Sequence, residues 1–152
     1  MDLEEVIRDY LPQIVHLSLG TSKDNKPWVC EVHFAYDNNL NLYFRSSPSR
    51  RHSQEIAANP NVAGNIVKQH GVGEPVRGIY FEGIAEKLDP GTKQDTASRV
   101  IIERFHAPSS ILEEAQSPEG SQFYRISVET FYVFGDLDGK GNNKFELKWD
   151  KA

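Results

Sequence analysis

Cysteine is almost absent from this sequence, since Cys30 is the only one in 152 residues. A single thiol allows no internal disulfide and no cysteine-rich zinc site. The chain also lacks any apolar run of about 18 residues, the length that a membrane-spanning helix needs. Its first residues, MDLEEVIRDYL, have neither the basic start nor the apolar block of a secretion signal. We therefore expect a cytoplasmic protein that does not act at a membrane.

Positive charge is also in short supply. The chain has 17 lysines and arginines against 22 aspartates and glutamates, which gives a formal net charge of −5. Nucleic-acid binding needs clustered positive charge, so this balance predicts no nucleic-acid partner. The length and the 38% share of hydrophobic residues are typical of a globular protein with one core. We expect residues 1–152 to form a single domain.

Most motifs that mark a catalytic or metal site are missing. The five histidines, at positions 16, 33, 52, 70 and 106, never fall at the i, i+4 spacing of a helical zinc pair. No GxSxG nucleophile elbow and no complete glycine loop for a dinucleotide occur. The segment 136–141 resembles the start of a calcium loop, but Lys140 and Leu147 stand where oxygen ligands are required. The sequence therefore predicts no metal site.

Hydrophobic periodicity predicts a mainly β protein of the α+β class. Alternating apolar and polar residues mark seven strands, at 15–19, 28–36, 40–44, 62–67, 76–88, 124–134 and 145–149. Apolar residues at helical spacing mark about three helices, at 2–11, 47–58 and 92–106, besides a short helical piece at 111–115. Short connections favour antiparallel pairing, and we expect the first three strands to form a meander. Such a sheet closes most easily into a small barrel with helices at its ends.

Positive charge is concentrated at one predicted junction between a strand and a helix, in the segment YFRSSPSRRH at 43–52. We expect Ser47 to cap the helix and Pro48 to occupy its first position. Two arginines then lie in the first turn, where the helix dipole disfavours cations unless an anion is bound. The side chains available at this junction include Arg45, Ser46, Ser49, Arg50 and Arg51.

This junction has the parts of a phosphate site. The N-terminus of a helix offers unpaired N–H groups, arginine adds a forked and permanently charged donor, and serine hydroxyls complete the hydrogen bonds of an anion. An alternative interpretation stays open, because a serine cap followed by arginines that face solvent is also a common arrangement. The sequence thus predicts either a phosphate cradle or a solvated helix start.

Several segments occur in an order that resembles the pyridoxamine 5′-phosphate oxidase-like family of flavin-binding split barrels. They are the strand 28–36, the strand 40–44, the basic turn, NPNV at 59–62, RGIYFEG at 77–83 and Ala85–Glu86. The resemblance covers nearly the whole chain and extends to small bacterial members of the family. It implies an antiparallel split β-barrel with about three flanking helices, and a homodimer with two FMN molecules at the subunit interface.

The resemblance also implies positions for FMN. The family's phosphate-binding basic pair falls on Arg50 and Arg51. The strand beside the isoalloxazine ring falls on Trp28, Val29, Cys30, Glu31 and Val32. The strand before the basic turn brings Phe44, Arg45 and Ser46 near the ribityl chain and the ring. Lys148 and Trp149 are candidates to reach the site of the partner subunit.

Two departures from the family bear on activity. Gly78 stands where the oxidase has a glutamine that contacts the flavin ring, and the oxidase's C-terminal arginines for substrate recognition are absent. The sequence therefore does not predict pyridoxamine 5′-phosphate oxidation. His33, His52 and Tyr43 are acid–base candidates near the predicted site, but the sequence assigns none of them a catalytic role.

Three functional hypotheses follow. The first is an FMN-dependent oxidoreductase of unassigned substrate, in which the flavin transfers hydride or electrons. The second is a flavin- or haem-binding module without turnover, which the missing ring-contacting glutamine favours. The third hypothesis is a reductase that uses the deazaflavin F420. It is the weakest, because F420-dependent relatives have a larger basic pocket than this sequence indicates.

Overall fold

The computed structural model describes residues 1–151, in which strands dominate. Its eight strands are β1 His16–Lys23, β2 Lys26–His33, β3 Ala35–Tyr36, β4 Leu42–Ser46, β5 Asn61–Ile66, β6 Arg77–Lys87, β7 Gln122–Gly135 and β8 Asn143–Lys148. Its four α-helices are α1 Leu3–Tyr10, α2 Arg51–Ala58, α3 Asp95–Phe105 and α4 Ser110–Glu114. Short 3₁₀ turns follow α1 at Leu11–Gln13 and precede α3 at Thr92–Gln94. None of the helices within residues 1–151 has both the length and the apolar character needed to cross a membrane.

The strands form one curled sheet in the order β2-β1-β5-β6-β7-β4-β3, with β8 paired to β7. All of the strand pairings are antiparallel. This architecture confirms the predicted mainly β split barrel. β2 and β3 lie at opposite ends of the sheet order although they are consecutive in the chain. The curl brings β2 opposite β4, and we call the gap between these two strands the seam.

The predicted strand 28–36 is two strands, and the predicted three-stranded meander is wrong. β2 pairs with β1, whereas β3 pairs with β4 at the other end of the sheet order. Between β2 and β3, the amide of Phe34 donates to the carbonyl oxygen of Val15 at 3.1 Å. The alternation of apolar and polar residues continues through this crossing, so periodicity does not show that the pairing partner changes.

The first strand is longer than predicted. β1 extends to Lys23 and forms a tight hairpin with β2. Asp24 and Asn25 form the turn, with φ angles of 51° and 63°. Asparagine and aspartate tolerate this left-handed conformation, which matches the twist of the flanking strands. The connection between the first two predicted strands is therefore a two-residue turn.

The apolar core has two parts on opposite faces of β4 and β7. The larger part lies inside the curl, where Ile7 and Leu11 from the N-terminal segment pack with Phe44 and Phe131. The smaller part lies between α3 and the other face of the sheet. It contains Ala35, Tyr43, Leu88, Ala97, Val100, Ile101, Ile111, Ala115 and Phe123. Complete burial of each large apolar side chain contributes about 1.5–3 kcal/mol to stability.

A single arginine connects α3 to the N-terminal segment. Nη2 of Arg104 donates to the carbonyl oxygen of Leu11 at 3.2 Å and also to that of Ile14. Its guanidinium lies over the rings of Phe34 and Tyr36, at 4.7 Å and 5.1 Å from their centroids. We call this cluster the Arg104 joint. It binds the carbonyl groups of the first residue of the 3₁₀ turn and of the residue after its end, and it connects α3 to this segment.

Candidate functional site

A cleft with a volume of about 810 Å³ lies along the seam. β2 forms one side, β4 and the start of α2 form the other, and α3 closes one end. The lining residues are Trp28, Cys30, Glu31, Val32, His33, Arg45, Ser46, Ser47, Arg50, Arg51, His52, Ile101, Phe105, Ala107 and Ser121. The predicted phosphate site is therefore part of a real cavity, at the point where the sheet does not close by hydrogen bonding.

The helix at the basic junction begins later than predicted. Ser47 and Pro48 are not its cap and first residue, because 47–50 form a turn in which the amide of Arg50 donates to the carbonyl oxygen of Ser47 at 3.1 Å. The Ser47 and Ser49 hydroxyls are 2.9 Å apart, so they bind each other instead of capping the helix. Arg50 occupies the N-cap position without a side-chain hydrogen bond to the helix. The first amides of α2 consequently lack a side-chain cap.

Two of the three arginines in the cleft are already paired with carboxylates. Nη2 of Arg45 lies 2.7 Å from Oε2 of Glu114, which connects β4 to α4. Nε of Arg51 lies 2.7 Å from Oε2 of Glu55, one turn later in α2. Arg50 has neither an ion pair nor a side-chain hydrogen bond within residues 1–151, and it is exposed. Its positive charge is therefore the one available to a ligand.

The Arg51 pair extends across the cleft floor. The Arg51 guanidinium lies 4.1 Å from the ring centroid of Trp28 on β2, a cation–π contact across the seam. Glu55 is buried, and it also accepts a hydrogen bond of 2.9 Å from the hydroxyl of Thr21 on β1. The hydrogen bond from Arg51, followed by that from Thr21, lowers the pKa of Glu55 despite its burial. Arg51 is thus held between an aromatic ring and an ionised carboxylate.

A chain of hydroxyl groups leads from the cleft into the core. Nε2 of His52 lies 2.8 Å from Oγ of Ser46, and the Ser53 hydroxyl donates to Ser46 Oγ at 2.9 Å. Burial, followed by the positive charge of Arg50, lowers the pKa of His52 below its usual value. His52 is therefore neutral at pH 7 in the free protein.

The opposite wall of the cleft is apolar. Val32 of β2 and Ile101 and Phe105 of α3 line it, and the imidazole of His33 stacks on Phe105 with ring centroids 5.6 Å apart. Cys30 also lines the cleft, and it is half-buried against the larger part of the core. Burial, with a smaller contribution from the adjacent carboxylate, raises the pKa of its thiol, so Cys30 is uncharged at neutral pH. The cleft thus has one cationic corner and one apolar wall, an arrangement that suits a flat organic ligand bearing an anionic group.

The structure brings most of the predicted FMN-binding residues together. Those that line the cleft are Trp28, Cys30, Glu31, Val32, Arg45, Ser46, Arg50 and Arg51. Three predicted residues do not line it. Val29 is 63% exposed, Phe44 is fully buried and stacks on Tyr124 at 5.0 Å between centroids, and the Ser49 hydroxyl faces Ser47.

The other candidate residues divide between the cleft and the rest of the fold. His33 and His52 line the cleft, whereas Tyr43 is buried and donates its hydroxyl hydrogen to Asp37 at 2.8 Å. Burial and that hydrogen bond raise the pKa of Tyr43, which makes it a poor acid–base group. Trp149 is buried and donates Nε1–H to the carbonyl oxygen of Asn39 at 2.8 Å within the same chain.

The two remaining positions also lie away from the cleft. Lys148 pairs with Glu146 at 3.0 Å on the exposed part of β8. Gly78, the position of the oxidase's glutamine, is buried on β6 opposite Phe134 and does not line the cleft.

Sequence reasoning missed the residues that reach the cleft from outside the basic segment. They include Ile101, Phe105, Ala107 and Ser121, together with Glu114, the partner of Arg45. The predicted helix at 92–106 was not among the candidate site residues. Its amphipathic pattern accounts for its buried face, but no local signal shows that its last turn also borders a cavity.

Comparisons with known proteins agree with the fold. A family model described as "Pyridoxamine 5'-phosphate oxidase" matches residues 3–135. A UPF0306 protein from Haemophilus ducreyi is 34% identical over 80 residues, which are 52% of this chain and 53% of that protein. The chain thus spans about half the length of such curated relatives.

Solved structures share the fold at low sequence identity. A heme binding protein from Mycobacterium smegmatis superposes with a TM-score of 0.78 at 14% identity, covering 99% of this chain and 60% of that chain. An FAD-binding protein from Mesorhizobium loti superposes with a TM-score of 0.64 at 24% identity, covering 88% and 92% respectively. These likenesses establish a common fold.

Proposed function

The chain belongs to the pyridoxamine 5′-phosphate oxidase family, and from this premise we propose that it binds FMN in the seam cleft and acts as a flavin-dependent oxidoreductase. One observation carries the proposal. The exposed guanidinium of Arg50 has no partner within residues 1–151 and lies in a cleft whose opposite wall is apolar. The proposal excludes pyridoxamine 5′-phosphate oxidation, because the sequence lacks the glutamine and arginines associated with that reaction.

The residues present fit an FMN molecule. A phosphate monoester needs cationic and N–H donors, which Arg50 and the uncapped start of α2 supply. A flavin ring needs apolar cover, which Val32, Ile101 and Phe105 supply at the other end of the cleft. An orphaned polar atom adds to the fit, because the buried Nε of Arg45 has no hydrogen-bond partner within residues 1–151.

In this proposal the protein binds and orients the cofactor. Arg50 holds the phosphate, and Arg51 keeps the Trp28 ring in place at the cleft floor. The apolar residues of α3 exclude water from one side of the ring site. FMN, when bound, supplies hydride or electron transfer. The substrate is not assigned, and neither Tyr43 nor Cys30 has the acid–base properties that would suit proton transfer.

We propose further that two copies of the chain assemble around the cofactor in the cytoplasm. The outer strand β2 exposes apolar surface beside the cleft, with Trp28 40% exposed and Val29 63% exposed. A second copy packed on this strand would cover both side chains and would close the open side of the cleft. The family resemblance to homodimers with FMN at the subunit interface supports this arrangement.

Haem is a second candidate ligand, favoured by one observation. His33 presents an exposed imidazole in the cleft, stacked on Phe105, and histidine is a common axial ligand of haem iron. The likeness to a heme binding protein from Mycobacterium smegmatis supports the same possibility. In this case the protein would be a binding module without flavin chemistry.

The absorbance spectrum of freshly purified protein between about 350 and 500 nm separates the two candidates, because bound flavin and bound haem absorb differently there. FMN titration follows, with quenching of flavin emission as the readout. We expect wild-type protein to bind FMN and Arg50→Ala to bind it much more weakly. Arg99→Ala is the matched control, because Arg99 is an exposed arginine outside the cleft. Unchanged flavin emission with wild-type protein would refute the FMN proposal, and a Soret band after haem addition would favour the alternative.

A further inference from the structure

His52 is a nearly buried histidine with one nitrogen bound and one nitrogen free. His52 is only 9% exposed, and its Nε2 lies 2.8 Å from Ser46 Oγ. Nδ1 has no hydrogen bond within residues 1–151, yet it is not among the fully enclosed atoms that lack a partner. Because His52 lines the cleft together with Arg50, Nδ1 is the ring nitrogen left free to meet a ligand bound there. The cleft thus contains an unused polar group near the place where an anion would bind.

The hydrogen bonds around Ser46 accommodate two protonation states of His52. In the neutral state, the Ser46 hydroxyl accepts from Ser53 and donates to Nε2 of the imidazole. In the charged state, Nε2–H donates to Ser46 Oγ. The Ser46 hydrogen then turns to the carbonyl oxygen of Ser47, which lies 3.3 Å away. Ser46, Ser53 and Nε2 of His52 keep a partner in both states, so protonation requires no movement of the backbone.

We propose that His52 is an anion-binding residue of the cleft, which takes up a proton from solvent when a phosphate monoester or another dianion binds beside Arg50. The proton completes an imidazolium whose Nδ1–H donates to the anion and whose Nε2–H donates to Ser46. The identity of the physiological anion as the FMN phosphate rests on the proposed function. The proton uptake itself requires only a dianion.

The charges around His52 account for its neutral state when the cleft is free. The titratable or charged groups that line the cleft with His52, or pair with the arginines of the cleft, come from α2, β4, α4 and β2. They are Arg50, Arg51, Glu55, Arg45, Glu114, Cys30, Glu31 and His33. Arg45 and Arg51 are neutralised by their carboxylate partners, which leaves Arg50 as the cation that opposes a second positive charge. A dianion bound at Arg50 reverses the balance of charge near His52, so that the protonated imidazole becomes the favoured form.

The sign of the pH dependence follows by linkage. Burial and Arg50 lower the pKa of His52 in the free protein, and a bound dianion raises it. A ligand that prefers the protonated protein binds more tightly as pH falls through the interval between the bound and free pKa values. The gain approaches about tenfold per pH unit in that interval, because one proton is taken up.

The test follows the imidazole signals of isotopically labelled histidine by NMR as pH is varied. Sulfate is the first probe, since its charge is constant at neutral and mildly acidic pH, and sodium chloride of equal ionic strength is its control. FMN is the second probe. We expect saturation with either dianion to raise the titration midpoint of His52 by at least about one pH unit, as expected for a charge that approaches within several ångström at a protein surface.

Two variants make the measurement specific. The signal of His52 is assigned by its absence in His52→Gln, and by elimination if that variant does not fold. His33→Gln is the matched control, because His33 also lines the cleft but faces the apolar wall. In His33→Gln, the shift of the His52 titration midpoint on ligand saturation should equal the shift in wild-type protein. A His52 midpoint that stays constant or falls on saturation would overturn the inference.

The outcomes separate this inference from the proposed function. If sulfate shifts His52 but FMN does not bind, the flavin proposal fails and the anion role of His52 stands. If FMN binds and His52 does not shift, the flavin proposal stands and the role of His52 is refuted. If both probes shift His52, FMN affinity in His52→Gln should lose the rise that wild-type protein shows as pH falls.

Discussion

The Arg104 joint and the cationic corner of the cleft each depend on one arginine, Arg104 and Arg50, but they differ in what the guanidinium binds. Arg104 donates to two backbone carbonyl oxygens and lies over Phe34 and Tyr36. Arg50 has no acceptor within residues 1–151 and is exposed in the cleft. The first arginine completes the fold, and the second is left available to a ligand.

The difference has a general physical cause. A buried cation is costly unless fixed acceptors surround it, so a structural arginine needs its partners within the chain. A cation that stays near water costs little without a partner. Arg50 can therefore stay unpaired until an anion binds, while carboxylates bind the neighbouring arginines Arg45 and Arg51. Substitutions in the two regions should accordingly separate stability from ligand binding.

The largest expected effect is a loss of stability in Arg104→Met. The substitution keeps the apolar stem but removes two hydrogen bonds of a charged donor. It leaves the carbonyl oxygen of Ile14 without its donor, whereas that of Leu11 still accepts from the amide of Ile14, so the free energy of unfolding should fall by about 2–4 kcal/mol. Urea denaturation measures this change. Arg99→Met, on the exposed face of the same helix, should stay within about 0.5 kcal/mol of wild type. Equal stability of the two variants would remove the distinction between the joint and an ordinary surface arginine.

The next effect is on FMN binding, in Arg50→Ala. Loss of a hydrogen bond between charged groups should weaken the affinity by about 1.5–3 kcal/mol, roughly tenfold to a hundredfold in Kd, with unchanged unfolding. Arg51→Ala should cost less affinity, because Glu55 already shares the charge of Arg51. Fluorescence titration gives both values. A greater loss in Arg51→Ala than in Arg50→Ala would show that the unpaired arginine is not the principal phosphate ligand.

A smaller effect of opposite sign is expected in Glu114→Gln. The substitution frees Arg45 from its carboxylate, so the corner becomes more positive and FMN should bind a few-fold more tightly, by about 0.5–1 kcal/mol. Glu113→Gln is the control, since Glu113 lies in the same helix without an ion pair among the described residues. Equal affinity in both variants would indicate that Arg45 does not contribute to the field at the phosphate.

The smallest expected effect is a pH dependence of stability that arises from His52. The folded pKa of His52 lies below its unfolded value, so folding favours the neutral imidazole. The contribution of His52 to folding stability is fully present above its unfolded pKa of about 6.5. It is lost as pH falls through the pKa of His52 in the folded protein. Urea denaturation without ligand should therefore show wild type losing stability relative to His52→Gln below about pH 6.5. A difference that does not change with pH would contradict the depressed pKa.

Much of the fold was predictable because a local alternation of apolar and polar residues marks most strands. The predicted strand 76–88 is observed as Arg77–Lys87, since alternate side chains enter the core along its whole length. The change of partner between β2 and β3 was not predictable, because both pieces keep the same alternation. The start of α2 was misplaced because Ser47 and Ser49 bind each other, and local capping rules do not weigh that competing contact.

The candidate site shows the same division between local and distant information. The segment 43–52 was identifiable because its arginines and serines are close in the chain. Glu114 and Phe105 come from helices more than fifty residues away, and only the folded sheet places them at the cleft. The part of the site with the strongest local signal was therefore the part that could be predicted, while its apolar wall required the structure.

The seam between β2 and β4 also has a mechanical consequence. At the seam, the two ends of the sheet are joined by the chain itself, which passes through Phe34 from β2 to β3, and by a few side-chain contacts. No ladder of backbone hydrogen bonds is present there among the described residues. A molecule seated in the cleft would bridge both ends and resist their separation. Occupancy should therefore raise the melting temperature, so a thermal-shift screen of small molecules can identify ligands without assuming their chemistry in advance.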